Sequence, residues 1–102
     1  MVSKLLLQKY AKLAVKVGIN IQKGQILVVN SPVACYELTR EIARSAYEEG
    51  ASYVMVRWSD DVITKDYYTF APMDVITEVP EYVISQSHYI VDKGAALLSI
   101  TA

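Results

Sequence analysis

Cys35 is the only cysteine in the chain, so no internal disulfide can close and no cysteine-based zinc centre can be built. Histidine is equally scarce. His88 stands alone, with no HExxH or paired-histidine spacing, whereas a hydrolytic metal centre needs three or more converging His, Asp, Glu or Cys ligands. Net charge is nearly missing too: a formal −1 over 102 residues gives no electrostatic pull toward nucleic acid or an anionic membrane, and neither is expected as a partner. Long apolar runs are absent. In "MVSKLLLQKYAKLAVKVG" lysines return every few residues, leaving no stretch suited to a signal peptide or a membrane span. A cytoplasmic, soluble protein is the expectation.

What is present is a folding composition. Hydrophobic residues make up 53% and charged residues 21%, which separates the chain from disordered sequences. A chain of this size buries roughly 60 to 70% of its unfolded surface, enough for one small core.

Leu6, Tyr10, Leu13, Ala14 and Val17 fall on one helical stripe, which predicts an amphipathic first helix capped by Gly18. "NIQKGQ" reads as a turn. "ILVVN", Ile26 to Asn30, is β-branched and lacks polar alternation, the pattern of a strand covered on both faces. Ser31 and Pro32 then suit a helix start. That second helix is expected to carry Cys35, Leu38, Ile42, Ala43 and Ala46 inward, to show Glu37, Arg40, Glu41, Arg44 and Glu48 outward, and to end at Gly50.

A second strand spans Ser52 to Trp58, and Ser59 with Asp60 and Asp61 opens the next helix. Two short helices are expected near 60 to 70 and 73 to 78. A longer one runs from about Pro80 to Lys93, with Val83, Gln86 or Ser87, and Ile90 on one side, and Gly94 closes it. "AALLSIT", Ala95 to Thr101, is a third buried-looking strand.

Strands alternating with helices imply an α/β fold, three-layered, with a mostly parallel sheet, βαβ crossovers and about three strands. The last strand has no following helix to cover its second face, so residues 1 to 102 read as an incomplete domain. Self-association through the open sheet edge or face is expected.

The residues give few openings for chemistry. The turn after the first strand, "NSPVA", has no glycine, which argues against a dinucleotide or phosphate loop. His88 reads as a helical histidine. Cys35 near a helix start invites a nucleophile and base pair with His88, but its inward position favours a small buried hydrophobe. The best local candidates are Trp58, Ser59 and Asp60, because parallel α/β sheets place ligands at the carboxyl ends of their strands. Helix capping accounts for the same polar residues without any ligand. If these residues act, they are expected as contacts at the domain rim.

"KYAKLAVKVGINIQKGQILVVNSPV", "AYEEGASYVMVRWSDD", "VPEY" and "KGAALLSITA", in order and in register, resemble the amino-terminal part of the thermophilic aminopeptidase T and aminopeptidase S family. That resemblance implies a cytoplasmic metallo-aminopeptidase using two divalent ions, zinc or cobalt, to activate water and remove amino-terminal residues from peptides. It implies a homodimer and a carboxy-terminal catalytic domain that holds the metal ligands, none of which maps onto these residues. By the resemblance, the chain is a non-catalytic portion that packs beside that domain, with no catalytic, cofactor or metal residue of its own. The alternative is a stand-alone α/β binding or interaction module without peptidase activity.

Overall fold

The computed structural model describes residues 3–101. Ser3 starts the first helix, its hydroxyl accepting from the Leu6 amide at 3.2 Å and so satisfying one of the orphan donors of the first turn. Helix α1, Lys4–Leu13, then widens into a π turn over Ala14–Ile19. Gly18 is not the cap. Asn20 ends the turn in the left-handed region at φ 53°, its amide donating to the Val15 carbonyl. The turn continues past Gly18 because Ile19 and Ile21 both pack on the core, and asparagine tolerates the left-handed conformation better than most residues.

The expected stripe of α1 is also displaced. Leu6, Tyr10, Leu13 and Val17 are exposed, while Ala11 and Val15 are fully buried. The reason is close helix packing: α1 lies against α2, Tyr36–Glu48, where Thr39, Ile42, Ser45 and Ala46 are buried. Ala11 on α1 and Thr39, Ser45 and Ala46 on α2 are small enough to let the two helices pack closely around Val15 and Ile42, and the bulky Leu5, Leu6, Tyr10 and Leu13 of α1 are turned outward.

Strand β1, Ile26–Pro32, runs two residues further than the apolar run suggested and includes Ser31 and Pro32. Ser31 is therefore not a helix cap. Its hydroxyl is buried 2.7 Å from Thr39 Oγ1 on α2, and a single 3-10 turn, Val33–Cys35, leads into the helix. Cys35 sits half-buried at the cap position of α2 rather than on the inward stripe, because that extra turn rotates it away from Ile42. The outward row is as expected for Glu37, Arg40, Arg44 and Glu48.

Strand β2, Tyr53–Ser59, and the short β3, Ala96–Ser99, flank β1 on either side, both parallel to it, in the order β2-β1-β3. The fold is thus α/β with an open, three-stranded parallel sheet. Leu27, Val29, Val54 and Val56 face α1 and α2, where the main core lies. Val28 and Met55 face the opposite way, toward the helix α5, Glu81–Asp92, reached by Gln86 through the Met55 sulfur at 3.7 Å. The sheet is layered between helices on both faces, unevenly.

Between β2 and α5 lie α3, Asp61–Phe70, and α4, Met73–Ile76, neither of which buries a residue. On α5, only Ile90 is buried. The molecule is consequently flat, 44 × 37 × 16 Å, with a radius of gyration of 15.6 Å, against about 13 Å for a compact chain of this length. Among the described residues, no helix is long and apolar enough to cross a membrane.

Candidate functional site

The order β2-β1-β3 means that the chain leaves β1 in one direction and returns to its other side. Such a reversal marks the crevice where open α/β sheets place ligands, outside the carboxyl ends of the strands. The side chains there form one polar row across the sheet. Arg57, Asn30 and Ser99 are register partners on β2, β1 and β3, so alternation puts all three on the face toward α5.

Arg57 Nε donates to Asn30 Oδ1 at 2.6 Å, and its Nη1 donates to Gln86 Oε1 on α5 at 3.0 Å. Asn30 Nδ2 reaches Ser99 Oγ at 3.4 Å. Backbone reinforces the row, since the Ile100 amide donates to the Asn30 carbonyl at 2.8 Å. Among the described residues no carboxylate pairs with Arg57; the one ion pair joins Lys16 and Glu49 at 3.4 Å. A guanidinium offers donors only, in a planar fork suited to tying elements together.

Trp58, Ser59 and Asp60 lie at the carboxyl end of β2, which is an edge strand. Trp58 is 48% exposed, so the strand is not buried through to its end. Ser59 is the last strand residue, paired with Pro32, and does not cap α3. Asp60 holds the cap position in extended backbone, with its carbonyl accepting from the Thr64 amide at 2.9 Å, but its side chain makes no capping bond. The extra strand residue takes the hydroxyl out of reach of the first helical turn, which explains why the Ser-Asp-Asp sequence does not cap as its composition suggests.

The described residues do not fit a divalent-metal centre. No three His, Cys, Asp or Glu side chains come together, His88 is exposed on α5, and Cys35 lies at the start of α2. No hydrogen bond joins Cys35 to His88, so the structure does not assemble them as nucleophile and base.

No sequence pattern groups Arg57, Asn30, Gln86 and Ser99, although an arginine inside an otherwise apolar strand is a usable signal. Their convergence depends on strand order, which one-dimensional periodicity does not encode.

Comparison with known proteins agrees with the quoted motifs. The family model described as "Thermophilic metalloprotease (M29)" matches residues 3–102. Aminopeptidase 2 of Geobacillus stearothermophilus is 45% identical over 96 residues, 94% of this chain and 23% of the relative. Aminopeptidase T of Thermus thermophilus is 30% identical over 95 residues, again 23% of its length. The solved structure of wild-type AmpT from Thermus thermophilus superposes with a TM-score of 0.84 at 30% identity, covering 97% of this chain and 25% of that one. The chain thus spans about a quarter of the length of the relatives it matches. With the family model covering nearly every residue and the fold shared, the chain belongs to the thermophilic metalloprotease family.

Proposed function

We propose that this chain is the amino-terminal, non-catalytic portion of a metal-dependent aminopeptidase, and that the catalytic centre is formed by the carboxy-terminal domain of the same polypeptide. The observation that carries the reading is the pairing of a match over residues 3–102 with coverage of only 23% of aminopeptidase 2 and aminopeptidase T. A two-metal centre, with zinc or cobalt, would draw its ligands from outside the described residues. When bound there, the ions polarise the peptide carbonyl and supply hydroxide near neutral pH. The substrates are peptides with free amino termini. The whole enzyme is a cytoplasmic homodimer, and Trp58, Ser59 and Asp60 make contacts at the domain rim.

The role of this portion is mechanical. The polar tie from Arg57 to Asn30 and Gln86 fixes α5 to the sheet and gives the unit a defined shape against which a second domain can be set.

The direct test is an assay of the purified 102-residue chain against aminoacyl p-nitroanilides across zinc and cobalt concentrations. No turnover above the metal-only blank is expected. Metal-dependent hydrolysis by the pure chain would overturn the non-catalytic assignment. A stop codon directly after Ala102 in the coding sequence would instead favour a stand-alone binding module, and an open frame running on supports the enzyme.

A further inference from the structure

The chain exposes 7448 Å², about 1,700 Å² more than the roughly 5,800 Å² of a compact monomer of this size. The segment α3 to α5 is the clearest contributor. On α3, Ile63, Tyr67 and Phe70 share one stripe at i, i+4 and i+7, yet all three are exposed, Phe70 at 80%; Met73 and Tyr82 beyond it are exposed at 71% and 72%.

The stability of these helices raises the same question independently. Helix α3 has ten residues and α4 has four, neither has a side-chain cap, and neither buries a residue. Isolated helices shorter than about 12 to 15 residues are marginal in water, and in proteins they persist by packing an amphipathic face. Among the described residues, nothing buries that face.

We propose that the α3–α4–α5 face is the docking surface for the polypeptide that, in the relatives, makes up the other three-quarters of the molecule. The inference rests on the proposed function. The chain-wide excess of about 1,700 Å² is shared with the exposed apolar residues of α1 and its π turn, Leu5, Leu6, Leu13 and Val17, and the part held along α3 to α5 is of the kind that permanent, apolar interfaces cover. Place in the fold favours the same occupant. Leu97 of β3 is 58% exposed and its register partner is Val28, which puts it on the α5 side of the sheet. A chain continuing from β3 leaves the sheet beside this surface, and docking within one polypeptide gains a high effective concentration. The occupant is a protein surface with apolar pockets for Phe70, Met73 and Tyr82.

The test uses the chain alone and a chimera in which it replaces the matching 96-residue segment of the Geobacillus stearothermophilus aminopeptidase. Carbene footprinting read by mass spectrometry reports labelling at Phe70, Met73 and Tyr82 in both. A several-fold fall in labelling in the chimera is expected. Equal labelling in both overturns the proposal, as does protection that already develops in the isolated chain as its concentration is raised, which assigns the face to a second copy. Aminopeptidase activity of the chimera is read separately: an active chimera with unprotected residues overturns the docking face alone, and an inactive one with protected residues overturns the functional reading alone. In the same chimera, Phe70→Asp with Met73→Asp is expected to restore labelling at Tyr82; unchanged protection of Tyr82 places its cover elsewhere and overturns the proposal.

Discussion

Arg57 Nε stands 2.6 Å from Asn30 Oδ1, across the register pair that joins β2 to β1, and the same guanidinium reaches Gln86 on α5 at 3.0 Å. One side chain therefore links two strands and the helix on their far face. Hydrogen bonds to a charged group contribute about 1.5 to 3 kcal/mol. Both partners here are neutral amides, so the tie is insensitive to carboxylate titration. In a double-mutant cycle with Arg57→Met and Asn30→Ala, a coupling of about 0.5 to 3 kcal/mol is expected from urea denaturation. Additive losses would show that the two side chains do not act together.

Ser31 and Thr39 form a second tie, between the end of β1 and the first part of α2. Ser31 Oγ also lies 3.0 Å from the Pro32 carbonyl, and Thr39 Oγ1 lies 3.0 Å from the Cys35 carbonyl. Two hydroxyl protons serve three contacts, so one contact is unmade at any instant. Removing one hydroxyl leaves a partner buried and is expected to cost about 1 to 3 kcal/mol. The double variant Ser31→Ala, Thr39→Val is expected to cost less than the sum of the single changes, measured by the same unfolding experiment.

Gly50 closes α2 at φ 102°, and a Cβ placed on it would lie 3.3 Å from the Lys23 Cα. Its carbonyl accepts from the Gly24 amide at 2.8 Å, so the two turns at the amino-terminal end of the sheet are locked together. Gly50→Ala meets both left-handed strain, about 1 to 2 kcal/mol, and a close backbone contact. A thermal midpoint lowered by several degrees is expected; an unchanged midpoint would contradict this account.

Asp60→Ala separates two accounts of the same residue. A capping aspartate loses about 0.5 to 2 kcal/mol on replacement by alanine. Because the Asp60 carboxylate makes no cap bond, the expected change is within about 0.5 kcal/mol, as for ordinary surface positions. Chemical denaturation decides between them.

Much of the architecture was legible from pattern alone. The β-branched run at Ile26, the glycine at position 50 and the prolines at 72 and 80 marked element limits within a few residues, because strand burial, left-handed caps and missing amides are local properties of the chain. The quoted motifs also identified the family. Caps at Gly18, Ser31 and Ser59 were misplaced for a common reason: each element ran one or two residues longer than its local signal, held there by packing or pairing on neighbours.

Sequence by itself determined that this is an α/β unit of three parallel strands, of the thermophilic metalloprotease family, since periodicity and motif order are carried residue by residue. Tertiary structure alone decided which face of α1 turns inward, because the distance of closest approach to α2 selects Ala11 and Val15 over larger neighbours. It alone also brought Asn30, Arg57, Gln86 and Ser99 into one row, because their meeting depends on the order β2-β1-β3. Strand order is a relation between distant segments, settled by which crossovers can bury both faces of the sheet.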